Sequence, residues 1–182
     1  MINPKFDPFP ILNTSRLILR NMEEMDAEAF YKLRSDDIVM KYLDRDYMKS
    51  SDEALKMINE IKAQCNENTC IQWTVTLKEN DDLIGTICYW RIDKRHHRAE
   101  MGYMLAPQFH RQGIMQEAMV AVIEYGFEKM GLHSIEAQTH PDNTASKALL
   151  LKNGFKQEGL FKENYFHNGK YIDTAVFSLL KN

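Results

Sequence analysis

The run Gln108-Phe109-His110-Arg111-Gln112-Gly113-Ile114-Met115-Gln116-Glu117-Ala118 reads as a loop that turns directly into a helix. The first turn of a helix carries backbone N–H groups with no partner inside the helix, and the positive end of the helix dipole adds to them. Together they form a seat for phosphate. Gly113 removes the side chain where the backbone must approach a ligand closely. The chemistry this pattern allows is capture of a phosphorylated molecule by main chain rather than by side chains. Many ordinary strand-to-helix connections also contain a glycine, so the run alone leaves a structural reading open.

A second run, Asn143-Thr144-Ala145-Ser146-Lys147-Ala148-Leu149-Leu150-Leu151-Lys152-Asn153-Gly154-Phe155, reads as a short capped helix stopped by Gly154. The elements that must hold both runs follow from periodicity. Arg16 to Arg20 alternates as a first strand. Asp26 reads as a helix cap ahead of Ala29, Phe30 and Leu33 at helical spacing. Another helix starts at Ser51 or Asp52 and ends between Asn66 and Asn68. Gln72 to Leu77 and Leu83 to Trp90 form a hairpin about the polar turn Glu79 to Asp82. Ala99 to Leu105 is the next strand, leading into the loop. From Gly113 to Met130 a helix carries a wide apolar stripe of Met115, Ala118, Met119, Val122, Ile123 and Phe127, which demands burial against a sheet. Ser134 to Thr139 is a strand, and Thr144 to Asn153 is the capped helix. Two last strands, near Gln157 to Glu163 and Tyr171 to Leu180, join through His167-Asn168-Gly169, an Asn-Gly turn signal. The order β-α-α-β-β-β-α-β-α-β-β predicts an α/β (α+β) fold with a mixed, mostly antiparallel central sheet flanked by helices, as one domain over residues 1–182.

Composition narrows the partners. A net charge of -3 gives no reason to expect nucleic acid or an anionic membrane. No apolar run is long enough to span a bilayer, and the first residues lack the pattern of a signal peptide. Cys65, Cys70 and Cys88 match neither zinc spacing nor a disulfide framework, which points to reduced thiols in a cytoplasmic protein with no metal. The Lys94-Arg95-His96-His97-Arg98 run reads as a solvated turn, with contact to an acidic substrate tail as the alternative. Of Trp73, Tyr89 and Trp90, two read as core and one as a wall of an acceptor pocket.

The two runs together resemble the GNAT acetyltransferase superfamily, whose cofactor loop has the form Gln/Arg-x-x-Gly-x-Gly/Ala and whose following helix runs from Asn-x-x-Ala/Ser to Gly-Phe. Thr14 to Arg20 and Ala99 to Leu105 extend the likeness over nearly the whole chain, and it is nearest the branch of ribosomal-protein N-terminal-alanine acetyltransferases. The resemblance implies acetyl-coenzyme A as acyl donor and a primary amine as acceptor. It sets the pyrophosphate over the backbone amides of Arg111, Gln112, Gly113, Ile114 and Met115, with a charge-assisted contact from Arg111. It lays the pantetheine arm along the strand at Met104 and Leu105, with an N–H of one of them as the oxyanion donor. It turns Asn143 toward the arm, brings Ser146 near the sulfur, and makes the early helices the acceptor side. The chain departs from the pattern at His110 and Met115, neither of which removes a backbone donor. Leu150 stands where many members have a tyrosine proposed to protonate the thiolate, and Tyr165 stands where one branch member has its proposed base.

Acetyl transfer to an amine needs the neutral amine, and an α-amine with a pKa of about 8 is easier to deprotonate than a lysine near 10.4. Glu100, on the strand entering the groove, is the first candidate for the base, acting through a water; a solvated or structural carboxylate is the alternative. Ser146 is the candidate on the thiolate side, and Tyr165 a candidate donor or substrate contact; a helix-surface serine and a rim tyrosine are the plainer readings. The expected function is direct acetyl transfer in a ternary complex, with a protein N-terminus or a small-molecule amine as acceptor. A non-enzymatic acyl-CoA-binding module and a homodimer are left open.

Overall fold

The computed structural model describes residues 1–167 and 169–181. Asn168, in the expected Asn-Gly turn, lies outside the described residues. One eight-stranded sheet organises the chain, in the spatial order β1-β2-β3-β4-β5-β6-β8-β7. The strands are β1 (Leu12–Asn13), β2 (Leu17–Arg20), β3 (Ile71–Leu77), β4 (Asn80–Asp93), β5 (Arg98–Leu105), β6 (Ser134–Thr139), β7 (Lys156–His167) and β8 (Lys170–Leu180). The helices are α1 (Ala27–Ser35), α2 (Asp37–Met40), α3 (Ser51–Asn66), α4 (Ile114–Glu128) and α5 (Thr144–Lys152). All strand pairs are antiparallel except β5 with β6, which run parallel. No helix among the described residues is long and apolar enough to cross a membrane.

The apolar stripe of α4 lies on one face of this sheet. Met115, Ala118, Met119 and Val122 are buried there with Trp73, Tyr89, Met101, Ile135, Ala137 and Phe177. Tyr89 donates its phenol hydrogen to the Val122 carbonyl at 2.9 Å, which ties β4 to the helix. A smaller cluster of Met22, Phe30, Leu33, Met48, Ala54, Ile58 and Leu83 seats α1 and α3 on the sheet. Ser50 caps α3, accepting from the Glu53 amide at 3.2 Å, which supplies one of the otherwise unpartnered donors of that helix.

Three details differ from the sequence reading. The β3–β4 turn shrinks to Lys78-Glu79, because strand pairing already includes Asn80, and β4 runs on to Asp93. α2 and β1 are too short for a periodic pattern to show them. Asp26 heads α1 but caps nothing there. Its carboxylate instead binds Arg20 at 2.8 Å through both oxygens and accepts the Glu23 amide at 2.8 Å.

Candidate active site

The chain enters α4 through two left-handed residues, Arg111 at φ 60 and Gly113 at φ 75. Left-handed backbone costs an L-residue about 1–2 kcal/mol, so the turn favours glycine. A Cβ added at Gly113 would meet only Arg16 Nη2 at 3.5 Å; within the protein, conformation rather than space asks for glycine. No side chain caps α4, and its first bond runs from the Glu117 amide to the Gly113 carbonyl at 3.0 Å. Among the described residues, the main-chain amides of residues 111–116 donate to no protein acceptor. Arg111, Gln112 and Gly113 are exposed, while Ile114 and Met115 anchor the turn in the core.

Distant residues hold this turn in place. Arg16 Nη1 donates to the Gln112 carbonyl at 3.0 Å, and Arg16 Nε bonds Glu117 Oε2 at 2.7 Å. Glu117 Oε1 accepts the Arg16 amide at 2.7 Å and the Thr14 hydroxyl at 2.6 Å. On the far side, Gln116 and Asn153 exchange amide bonds at 2.7 and 3.3 Å, fixing α4 against the end of α5.

β5 and β6 pair only from Arg98↔Ser134 to Glu100↔Glu136 and then separate. β5 continues to Leu105 with β4 on one side and an opening on the other. The Ala106 amide bonds the Ile84 carbonyl at 2.8 Å. The Met104 carbonyl presses on Gly85, where an added Cβ would stand 2.5 Å from it. By the alternation of an antiparallel ladder, Gly102, Met104 and Ala106 therefore bond to β4, whereas Tyr103 and Leu105 turn their N–H and C=O to the opening. Met104, expected to face a ligand with its backbone, does not; its side chain packs on the smaller cluster instead. Leu105 turns its backbone to the opening, and His110 reaches back to its carbonyl, Nε2 to O 2.8 Å.

α5 lines the opposite side of that opening. Asn143 Oδ1 accepts the Ser146 amide at 3.0 Å and so caps the helix. Ser146 Oγ lies 2.7 Å from the hydroxyl of Tyr103, which the strand pattern alone does not mark as a site residue. Leu150 is fully buried in the main core.

The other face of β5 carries Glu100, opposite Trp90 of β4. Glu100 is 8% exposed. Burial pushes its carboxyl up to about 7; Arg91 opposes the shift, and Glu136 and Asp44 add to it. Arg91 Nη1 stands 3.3 Å from Glu100 Oε2, and its guanidinium lies 4.2 Å over the Trp90 ring, with Arg45 at 5.7 Å. A cavity of about 110 Å³ opens here, lined by Arg91, Arg98, Ala99, Glu100 and Glu136. Trp73 and Tyr89 are fully buried, leaving Trp90 as the hairpin aromatic on this side.

Tyr165 stands apart from Ser146 in its bonding. Its hydroxyl donates to the Asp44 carbonyl at 3.3 Å, tying the β7–β8 hairpin to the segment after α2. Tyr42 in that segment stacks on His140 with ring centroids 5.5 Å apart. Burial pushes the thiols of Cys65 and Cys70 up to about 11 and that of Cys88 up to about 12, so all three stay protonated and poorly nucleophilic near neutral pH. Among the described residues no group of three or more His, Cys, Asp or Glu side chains is placed to hold a metal ion.

The separation of β5 from β6 thus lies beside the uncapped start of α4. The acetyltransferase (GNAT) domain family matches residues 16–156, and this chain belongs to that family. It is an N-acetyltransferase by class. It is similar to the Uncharacterized N-acetyltransferase YoaA of Bacillus subtilis, at 40% identity over 173 residues, 95% of this chain and 98% of that one. It is also similar, at 25% identity over 92% of this chain and 89% of the other, to the ribosomal protein uS5 alanine N-acetyltransferase of Escherichia coli. Among solved structures, a spermidine N-acetyltransferase from Vibrio cholerae in complex with CoA and spermine superposes with a TM-score of 0.81 at 26% identity, covering 91% of this chain and 96% of that one.

Proposed function

We propose that this protein transfers the acetyl group of acetyl-CoA to a protein N-terminal α-amine by direct attack in a ternary complex. One observation carries the reading: the unpaired amides at the start of α4 stand beside a strand edge that β6 leaves free. A diphosphate suits the first feature, on the amides of Arg111, Gln112, Gly113, Ile114 and Met115. A pantetheine arm suits the second, bonding as an added strand to Tyr103 and Leu105. Asn143 and Ser146 face the arm from α5.

Acetyl-CoA supplies the acyl group as a thioester. The amine nitrogen forms the new C–N bond while the C–S bond breaks, and its bonding pair leaves on sulfur. Glu100 takes the amine proton through one water. Its carboxyl at about 7 suits an α-amine near 8 and falls roughly three units short of a lysine near 10.4.

A polyamine acceptor is the second reading. Its support is the gathering of Glu100, Glu136 and Asp44 on the acceptor face, and the spermine bound by the similar Vibrio cholerae enzyme. Thiol release from acetyl-CoA, measured over peptides with free N-termini, N-blocked lysine peptides and polyamines, separates the two. Turnover on free N-termini with the blocked peptides inert is the expected result. Turnover on polyamines alone selects the second reading. Binding of acetyl-CoA with no thiol released from any of them contradicts both.

A further inference from the structure

Ser146 is held from two directions. Its amide is bonded to Asn143 Oδ1, which sets the first turn of α5 and with it the position of the serine Cβ. Its hydroxyl meets the Tyr103 hydroxyl at 2.7 Å across the opening. A hydroxyl has a single hydrogen and rotates to suit its partners. If the phenol donates, the serine hydrogen is free to point elsewhere; if the phenol accepts, that hydrogen is used up. Leu150, buried in the core, offers no proton of its own.

We propose that Tyr103 is a positioning residue: it donates to Ser146 Oγ and so turns the serine O–H toward the departing sulfur, which the pair stabilises as a thiolate without protonating it. The inference rests on the acetyl-transfer reading above.

Magnitudes separate stabilising from protonating. Burial pushes the Tyr103 phenol up to about 12, with the bond to Ser146 pulling the other way. An ordinary thiol ionises near 8.5, so moving the phenol proton to a thiolate is uphill by on the order of a thousandfold. A hydrogen bond to the anion carries no such penalty and is roughly twice as strong as a neutral one. The atoms balance without an acid: the amine proton goes to Glu100, the C–S electron pair stays on sulfur, and solvent protonates the thiolate after release.

Tyr103→Phe keeps the ring and removes the hydroxyl. The expected result is a kcat lower by about tenfold or more, with the Kd for acetyl-CoA by calorimetry within about twofold of wild type. Ser146→Ala should lose a similar factor, and the double variant should be no slower than Ser146→Ala alone. The pH profile of Tyr103→Phe should keep the wild-type shape at a lower level. Full kcat in Tyr103→Phe overturns the inference, as do losses that multiply in the double variant. It is also overturned if a fall in wild-type rate at alkaline pH disappears in Tyr103→Phe, since that marks a proton donor. If Tyr103→Phe does not fold, Ser146→Thr against Ser146→Ala decides: kcat retained by threonine alone supports the hydroxyl, and equal loss in both overturns it. A wild-type chain that binds acetyl-CoA and acetylates no amine defeats the underlying reading and the pair with it. Wild-type turnover with an unaffected Tyr103→Phe defeats the pair alone.

Discussion

Arg16 and Glu117 lock the entrance of β2 to the first turn of α4, Nε to Oε2 at 2.7 Å, although a hundred residues separate them. The same guanidinium holds the Gln112 carbonyl at 3.0 Å, so one side chain braces both the loop and the helix it opens. Arg16 is about half exposed, with 47% of its side chain accessible, so its worth to global stability is small, about 1 kcal/mol or less. Its effect on the cradle is larger. Arg16→Ala is expected to weaken acetyl-CoA binding by about tenfold with little change in melting temperature. Calorimetry with unchanged affinity would separate the clamp from cofactor binding.

Gly113 sits at φ 75. A β-branched residue there is a backbone outlier, costing about 1–2 kcal/mol, and relaxing that strain would turn the amides at the start of α4 out of their common direction. Gly113→Val is therefore expected to lose acetyl-CoA affinity by at least about a hundredfold, well beyond its loss of stability. Equal affinity in titrations of the two proteins would remove the loop from the cofactor site.

As the proposed base, Glu100 would act only as the carboxylate. With its carboxyl at about 7, kcat/KM calculated on the neutral form of the amine should fall about tenfold per pH unit below that value and level off above it. Glu100→Gln should reduce the rate by ~10²–10⁴-fold and flatten that limb. A variant that keeps the acidic limb would assign the titration to another group.

The same shift has a consequence for stability. Folding raises the Glu100 pKa from its ordinary value of 4.5 to about 7, so the folded chain holds this proton more tightly than the unfolded chain. That contribution is present below the unfolded value and is lost as pH rises through about 7. The difference amounts to at most about 3 kcal/mol, reduced by the half-open Arg91 beside it. Glu100→Gln should therefore be more stable than wild type near pH 8, by roughly 1–3 kcal/mol, and gain little near pH 5. Urea unfolding at the two pH values tests this, and an equal gain at both would contradict it.

Local patterns made much of this molecule legible. The stripe of α4, the glycine before it and the Asn143 cap of α5 each follow from spacing within a few residues, and each stands where the periodicity sets it. What was not legible depends on neighbours. Whether Met104 or Leu105 turns its backbone to the opening is decided by the β4 register, one residue of which exchanges the two. The Tyr103–Ser146 bond joins residues 43 apart through a gap created by the separation of β5 from β6. Asp26 has the residue type of a cap, but the partly buried Arg20 beside it draws the carboxylate away.

Main-chain hydrogens at the start of α4 are proposed to hold the diphosphate of the coenzyme. A crystal structure of the wild-type chain with coenzyme A tests it most directly. Diphosphate oxygens are expected about 2.7–3.2 Å from backbone nitrogens between Arg111 and Met115, with the arm running past Leu105 and Tyr103 toward Ser146. A diphosphate held by side chains at any other surface, with those nitrogens facing solvent, would contradict it.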